Sequence, residues 1–161
     1  LFCDCDFLWR ADVGELFALA NPKYAVMVVK HEHAPSEGEK MDGVVQTRYD
    51  RKNWSSLILW NLVHPLNLDL TADAVNKETG AWLHGFRWLP DEAIGGLLQD
   101  WNWLVGHSPR DIDPKAVHFT EGGPWFEKYR DVPYAEEWRR ALMASLHPRP
   151  SVMERMAKCR T

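Results

Sequence analysis

The sequence is poor in cysteine, has no excess of positive charge and contains no long uninterrupted apolar run. Its three cysteines, Cys3, Cys5 and Cys159, are an odd number, and two of them alternate within one short stretch, too constrained for an ordinary bridge. That usage points to a reducing compartment, and the expected location is cytoplasmic. A formal net charge of −4 with seven neutral histidines leaves no basic footprint, which argues against nucleic acid as a partner. No stretch is long and apolar enough for a membrane helix, and no secretory leader is visible, so a soluble chain is expected. An initiator methionine is also missing, and the chain opens in mid-strand, so polypeptide is expected upstream.

What is present is enough for one domain, residues 1–161, with a real core: 161 residues and 45% hydrophobic content. Nine tryptophans are far above ordinary usage. Indole faces make platforms for sugar rings, but for any single tryptophan the core is the favoured place.

Along the chain, strand and helix signals alternate. Asp12-Val13-Gly14-Glu15 reads as a capping box, with Val13, Leu16, Phe17 and Ala20 at helical spacing. Tyr24 to Val29 is a continuous apolar run, as in an interior strand covered on both faces. A polar loop from His31 to about Arg48 follows, and Asn53 to Asn61 reads as the next strand. Thr71 caps a helix ending at Gly80, and Asp91 opens another through Ile94, Leu97 and Leu98. Trp101 to Val105 and Lys115 to Thr120 are further strands. A helix from Tyr134 to Leu146 is closed by Pro148, with one more turn at Ser151 to Glu154. The alternation predicts an α/β domain, in which ligands collect beyond the carboxyl ends of strands.

Leu1-Phe2-Cys3-Asp4-Cys5-Asp6 places two carboxylates at such an end. On a period-2 backbone Asp4 and Asp6 share a side, where they repel unless a proton or a divalent cation joins them. Asp111-Ile112-Asp113 repeats the pattern inside a proline-bounded stretch and reads as a solvated turn. His118 ends a strand that empties into Glu121-Gly122-Gly123-Pro124, where an imidazole and glycine amides stand ready for a cation and an anion. A core histidine ahead of an ordinary turn is the bland alternative.

Four segments in order carry a family resemblance. They are Phe2-Cys3-Asp4-Cys5-Asp6; Asn53-Trp54-Ser55-Ser56-Leu57-Ile58-Leu59-Trp60-Asn61; Leu89-Pro90-Asp91-Glu92-Ala93-Ile94 with Trp101-Asn102; and His118-Phe119-Thr120-Glu121-Gly122-Gly123-Pro124-Trp125. The chain resembles retaining glycosyltransferases of family 8 from the Asp-x-Asp strand nearly to its end. The resemblance implies a GT-A-like mixed sheet flanked by helices, without the N-terminal nucleotide-binding strands. It implies a nucleotide-sugar donor, a UDP-sugar first, and Mn²⁺, or else Mg²⁺, held by Asp4, Asp6 and His118. It further implies donor contacts from Asp4, Asn53, Ser55, Ser56, Gly122 and Gly123, and catalytic roles for Asp91 and Glu92. Glu92 stands where the family usually has Gln, and Gly123 where it often has Lys, so either the backbone amides of Gly122 and Gly123 or a cation such as Lys128 or Arg130 would take over at the departing diphosphate. The acceptor would be a glycan or another hydroxyl compound, and these residues alone are expected to be nearly inactive.

Two other functions compete. An aspartate phosphatase would use Asp4 as nucleophile and Asp6 as acid/base, and leaves His118 unexplained. A non-catalytic carbohydrate module would use the tryptophans. His31-Glu32-His33 lacks metal-ligand spacing and reads as exposed loop. Trp138-Arg139-Arg140 with Arg149, Arg155, Lys158 and Arg160 makes the end of the chain basic, a candidate for peripheral membrane contact and more ordinarily a solvated face.

Overall fold

The computed structural model describes residues 1–32, 39–40, 44–45 and 51–146. The chain forms two compact units, Leu1–Gly122 and Gly123–Thr161. The first is mixed α/β. Its strands are β1 (Phe2–Cys3), β2 (Phe7–Trp9), β3 (Val26–Val29), β4 (Glu39–Lys40), β5 (Val44–Val45), β6 (Leu57–Trp60), β7 (Ile94–Leu97), β8 (Trp103–Leu104) and β9 (Ala116–His118). Its helices are α1 (Val13–Phe17), α2 (Ala72–Lys77) and α3 (Gly80–His84).

Two mixed sheets carry the unit. In the first the order is β1-β6-β3-β7, with β6 antiparallel to both β1 and β3, and β7 parallel to β3. In the second, β9 lies between antiparallel β2 and parallel β8. A small β4–β5 hairpin stands apart. The apolar run of β3 is buried throughout, because it lies between two strands with both faces covered. One face meets Phe86, Leu89 and Ala93, and the other side of the sheet packs Val29 and Leu57 on Leu16 and Trp101.

The tryptophans mostly fill this interior. Trp101 and Trp103 are buried, Trp60 stacks on Trp88 at 6.1 Å, and Trp88 meets Trp82 at 5.6 Å. Of the nine indoles only Trp125 is exposed.

Several elements differ from what the sequence predicts. The opening strand is two strands in different sheets, because the chain turns at Cys5–Asp6. Asp91 opens a single 3₁₀ turn, Asp91–Ala93, and then the strand β7, where the sequence reads a helix. Gly95 and Gly96 are poor helix formers, and a Cβ at Gly95 would fall 2.5 Å from the Tyr24 ring, so the chain runs straight along the edge of β3. Gly80 does not end the Thr71 helix. It begins α3, which Thr79 caps by accepting from Trp82 N, just as Thr71 caps α2 by accepting from Ala74 N. Trp54–Ser56 is a 3₁₀ turn ahead of β6, and Gln99–Trp101 another ahead of β8, so both strands are shorter than their apolar runs.

In the second unit, Trp125 packs on Trp138 at 5.4 Å, and α4 (Ala135–Leu146) carries Glu136 and Glu137 in its first turn, where the helix dipole favours acids. Arg139 reaches Glu136 and the Arg130 carbonyl. Pro148, Ser151 to Glu154, and the basic residues from Arg149 onward lie outside the described residues, as does most of the loop read from His31 to Arg48. Among the described residues no helix is long and apolar enough to cross a membrane.

Candidate metal centre

The turn between β1 and β2 is tied to both sheets. Asp4 N–H donates to the Ser56 carbonyl at 2.9 Å, on the first sheet, and the Asp6 carbonyl accepts from Phe119 N–H at 3.0 Å, on the second. Since Phe7 is paired with His118 across β2 and β9, the turn delivers both carboxylates to the end of β9. Asp4, Asp6 and His118 each present a ligand atom, and all three atoms lie within 4.8 Å of one another. Asp4 is exposed, Asp6 partly covered and His118 buried, so the cluster is open on one side and walled on the other.

His118 is held firmly. Its ring stacks on Phe7 with centroids 4.6 Å apart, Nδ1 lies 3.1 Å from Asn102 Oδ1, and Nε2 lies 3.4 Å from Asp6 Oδ1. The donor set suits a divalent cation of the Mn²⁺ or Mg²⁺ kind: two hard carboxylates, and one imidazole that favours Mn²⁺. Ligand atoms about 2.1 Å from one ion stand about 3.0 Å apart when adjacent and about 4.2 Å when opposite. The 4.8 Å limit on the set is a few tenths of an ångström beyond the wider of these separations. Cys3 does not compete as a thiolate, because burial, then the Asp4 charge, push its thiol above the ordinary value.

Behind the cluster is a buried polar knot. Asn53, in the left-handed region with φ 64°, accepts at its carbonyl from Ser56 Oγ (2.7 Å) and Asn102 Nδ2 (3.2 Å), and at Oδ1 from Thr120 Oγ1 (3.3 Å). Asn53 and Ser56 thus meet protein partners, and both are buried. Ser55 lies nearer the surface, its Oγ 2.7 Å from His84 Nδ1. Arg51, also left-handed (φ 62°), donates to the Gly85 carbonyl and the Asp91 carboxylate while its guanidinium covers Trp54.

Asp91 and Glu92 are exposed and are not among the residues whose ligand atoms converge. Because β1, β3 and β7 run parallel, the turn preceding β7 lies at the sheet end where β1 begins, whereas Asp4 follows the end of β1. Gly122 takes φ 141°, which only glycine adopts readily, and its N–H closes a turn onto the Phe119 carbonyl at 2.8 Å. Gly123 belongs to the second unit, where a Cβ would fall 2.0 Å from the Trp125 ring. The second Asp-x-Asp is a surface turn as read, with Asp113 paired to Arg10 at 2.6 Å. His31 is buried, Glu32 exposed, and His33 lies outside the described residues.

No motif chemistry in the sequence singles out Asn102 or Thr120. The available signal was an asparagine between two tryptophans: an amide inside so apolar a stretch must find partners when it is buried.

The chain is similar to Protein CDI of Arabidopsis thaliana, at 51% identity over 143 residues that take in 86% of this chain and 55% of the relative. It therefore spans little more than half the length of that protein. No protein-family model matches the chain, and no solved structure matches it.

Proposed function

We propose that Leu1–Gly122 holds the cation and diphosphate of a nucleotide-sugar donor, as part of a retaining glycosyltransferase with a GT-A-like fold. The observation that carries this reading is the convergence of Asp4, Asp6 and His118 within 4.8 Å. Two carboxylates so close repel, a divalent cation between them turns that repulsion into attraction, and the open side next to Asp4 leaves room for phosphate oxygens. The aspartate phosphatase alternative gives the buried imidazole nothing to do. The turn also follows the carboxyl end of β1, where α/β sheets receive ligands.

In this reading Asp4, Asp6 and His118 Nε2 hold Mn²⁺, or Mg²⁺ in its place. Bound there, such an ion supplies Lewis-acid neutralisation of the diphosphate as the glycosidic bond breaks. Asp4, at the surface, faces the donor, while Asp6 and His118 form the inner wall. Ser55, at the rim beside His84, offers a hydroxyl to the donor. The Gly122 N–H is already engaged by the Phe119 carbonyl, and Lys128 and Arg130 belong to the second unit. The acceptor is a hydroxyl compound attacking from the face the diphosphate leaves. For Asp91 and Glu92 the proposal is contact with the sugar end of the donor. Because neither is one of the three converging ligand groups, Asp91→Asn and Glu92→Gln are expected to lower turnover without changing Mn²⁺ affinity.

The test is calorimetry, first with Mn²⁺ alone and then with UDP in the presence and absence of Mn²⁺. Metal binding, with UDP binding that requires the metal and disappears in Asp6→Asn, supports the proposal. Phosphoester hydrolysis without nucleotide preference would replace it with the phosphatase, and binding of free glycans alone with a carbohydrate module.

A further inference from the structure

The buried polar groups behind the metal cluster admit one arrangement of hydrogens. The Asn53 carbonyl oxygen can only accept, and it lies 3.2 Å from Asn102 Nδ2. The Asn102 atom facing it must therefore be the amide nitrogen, and its other hydrogen meets Ser56 Oγ at 2.9 Å. Ser56 in turn donates to the same Asn53 carbonyl at 2.7 Å. This orientation directs Asn102 Oδ1, an acceptor only, at His118 Nδ1, 3.1 Å away. Nδ1 must then carry a hydrogen. In the neutral ring, Nε2 keeps its lone pair, and that lone pair points toward Asp6 Oδ1 at 3.4 Å.

We infer that Asn102 is a positioning residue that locks His118 in the Nδ1–H tautomer and so presents the Nε2 lone pair to a cation shared with Asp4 and Asp6. The metal partner rests on the function proposed above; the tautomer does not. Asn102 is fully buried, and its amide is anchored to a backbone carbonyl, so it cannot flip without losing two hydrogen bonds. A neutral amide also fixes the ring without bringing a third negative charge to a site that already has two. Thr120 and the left-handed Asn53 close the support, since Thr120 Oγ1 donates to Asn53 Oδ1 at 3.3 Å. The Phe7 stack fixes the plane of the ring, and Asn102 fixes its rotation and hydrogen.

Long-range ¹H–¹⁵N correlation spectra of the ¹⁵N-labelled chain test this directly, without metal and at a pH where imidazoles are neutral. The His118 signals are those lost in His118→Gln. The expected spectrum shows a protonated Nδ1 and an unprotonated Nε2. An Nε2–H tautomer, or an even mixture of the two, would overturn the inference. Asn102→Leu, provided its tryptophan emission is that of a folded chain, is expected to mix the tautomers. It should also weaken Mn²⁺ binding, followed by the electron paramagnetic resonance of free Mn²⁺, about 10- to 100-fold. An unchanged tautomer with unchanged affinity would count against it. If Asn102→Leu does not fold, the wild-type spectrum decides alone. If the wild-type chain shows the Nδ1–H tautomer but binds no divalent cation, the positioning stands and the metal function falls.

Discussion

Asp6→Asn is expected to shift stability in opposite directions with and without a cation. The Asp4 and Asp6 ligand atoms lie within 4.8 Å of each other. Two unit charges at that separation repel by about 0.9 kcal/mol in water and about 3.5 kcal/mol at an effective dielectric of 20. Asp4 is exposed, so the lower end applies, on the order of 1 kcal/mol. In chelator at alkaline pH the substitution removes that repulsion and sets an amide N–H opposite the His118 Nε2 lone pair, so the variant should match or exceed the wild type. With Mn²⁺ at 100 times its dissociation constant, the wild type gains about 2.7 kcal/mol by mass action. The variant, short of one anionic ligand, should gain much less. The order of the two proteins therefore reverses on adding Mn²⁺. Urea unfolding followed by tryptophan emission, with and without Mn²⁺, reads both halves. A variant already about 2 kcal/mol weaker in chelator, or a wild type unmoved by Mn²⁺, would refute the reasoning.

Three other perturbations bear on the support of the site. Phe86 is fully buried at φ 52°, a backbone region costly for a bulky residue, so Phe86→Ala should cost about 3–5 kcal/mol, and Phe86→Gly no more than that, because glycine relieves the strain. A glycine variant clearly weaker than the alanine variant in urea would contradict this. Gly122→Ala forces a Cβ onto φ 141° and should cost about 1–3 kcal/mol; a loss within 0.5 kcal/mol of zero by the same assay, inside the ordinary range for surface changes, would count against it. Cys5 is exposed while burial, then Asp4, raise the Cys3 thiol. Iodoacetamide at mildly alkaline pH should therefore modify Cys5 well before Cys3, read by tandem mass spectrometry of the peptide that carries both. Because the folded value is raised, the protonated Cys3 thiol stabilises the fold below the unfolded value, and that contribution falls as pH rises through the folded one.

Local signals were legible where one short stretch of chain decides the outcome. The Asp12 and Thr71 caps, the all-apolar β3 and the Ala135–Leu146 helix could each be read within a few residues of their bounds. The reading failed where pairing with a distant segment outweighed local preference. Ile94-Gly95-Gly96-Leu97 has apolar ends three apart, which fit a helical turn as well as a strand, and only the unfilled edge of β3 chooses between them. Period-2 alternation puts Asp4 and Asp6 on one side of a single strand, whereas a turn and two sheets bring them to His118.

By itself, then, the sequence determined which segments would bury apolar surface, where helices would start, and which residue types were on hand for a cation, because those depend on side-chain chemistry and on neighbours a few positions away. The tertiary structure decided which of them meet. A tether from Asp4 to Ser56 and another from Asp6 to Phe119 select one Asp-x-Asp over its exposed copy at Asp111–Asp113. A backbone carbonyl at Asn53, made available by a left-handed turn, orients the amide of Asn102, 49 positions further on. Hydrogen-bond geometry of that kind has no pattern along the chain, since it exists only once both segments are packed and no other partner is within reach.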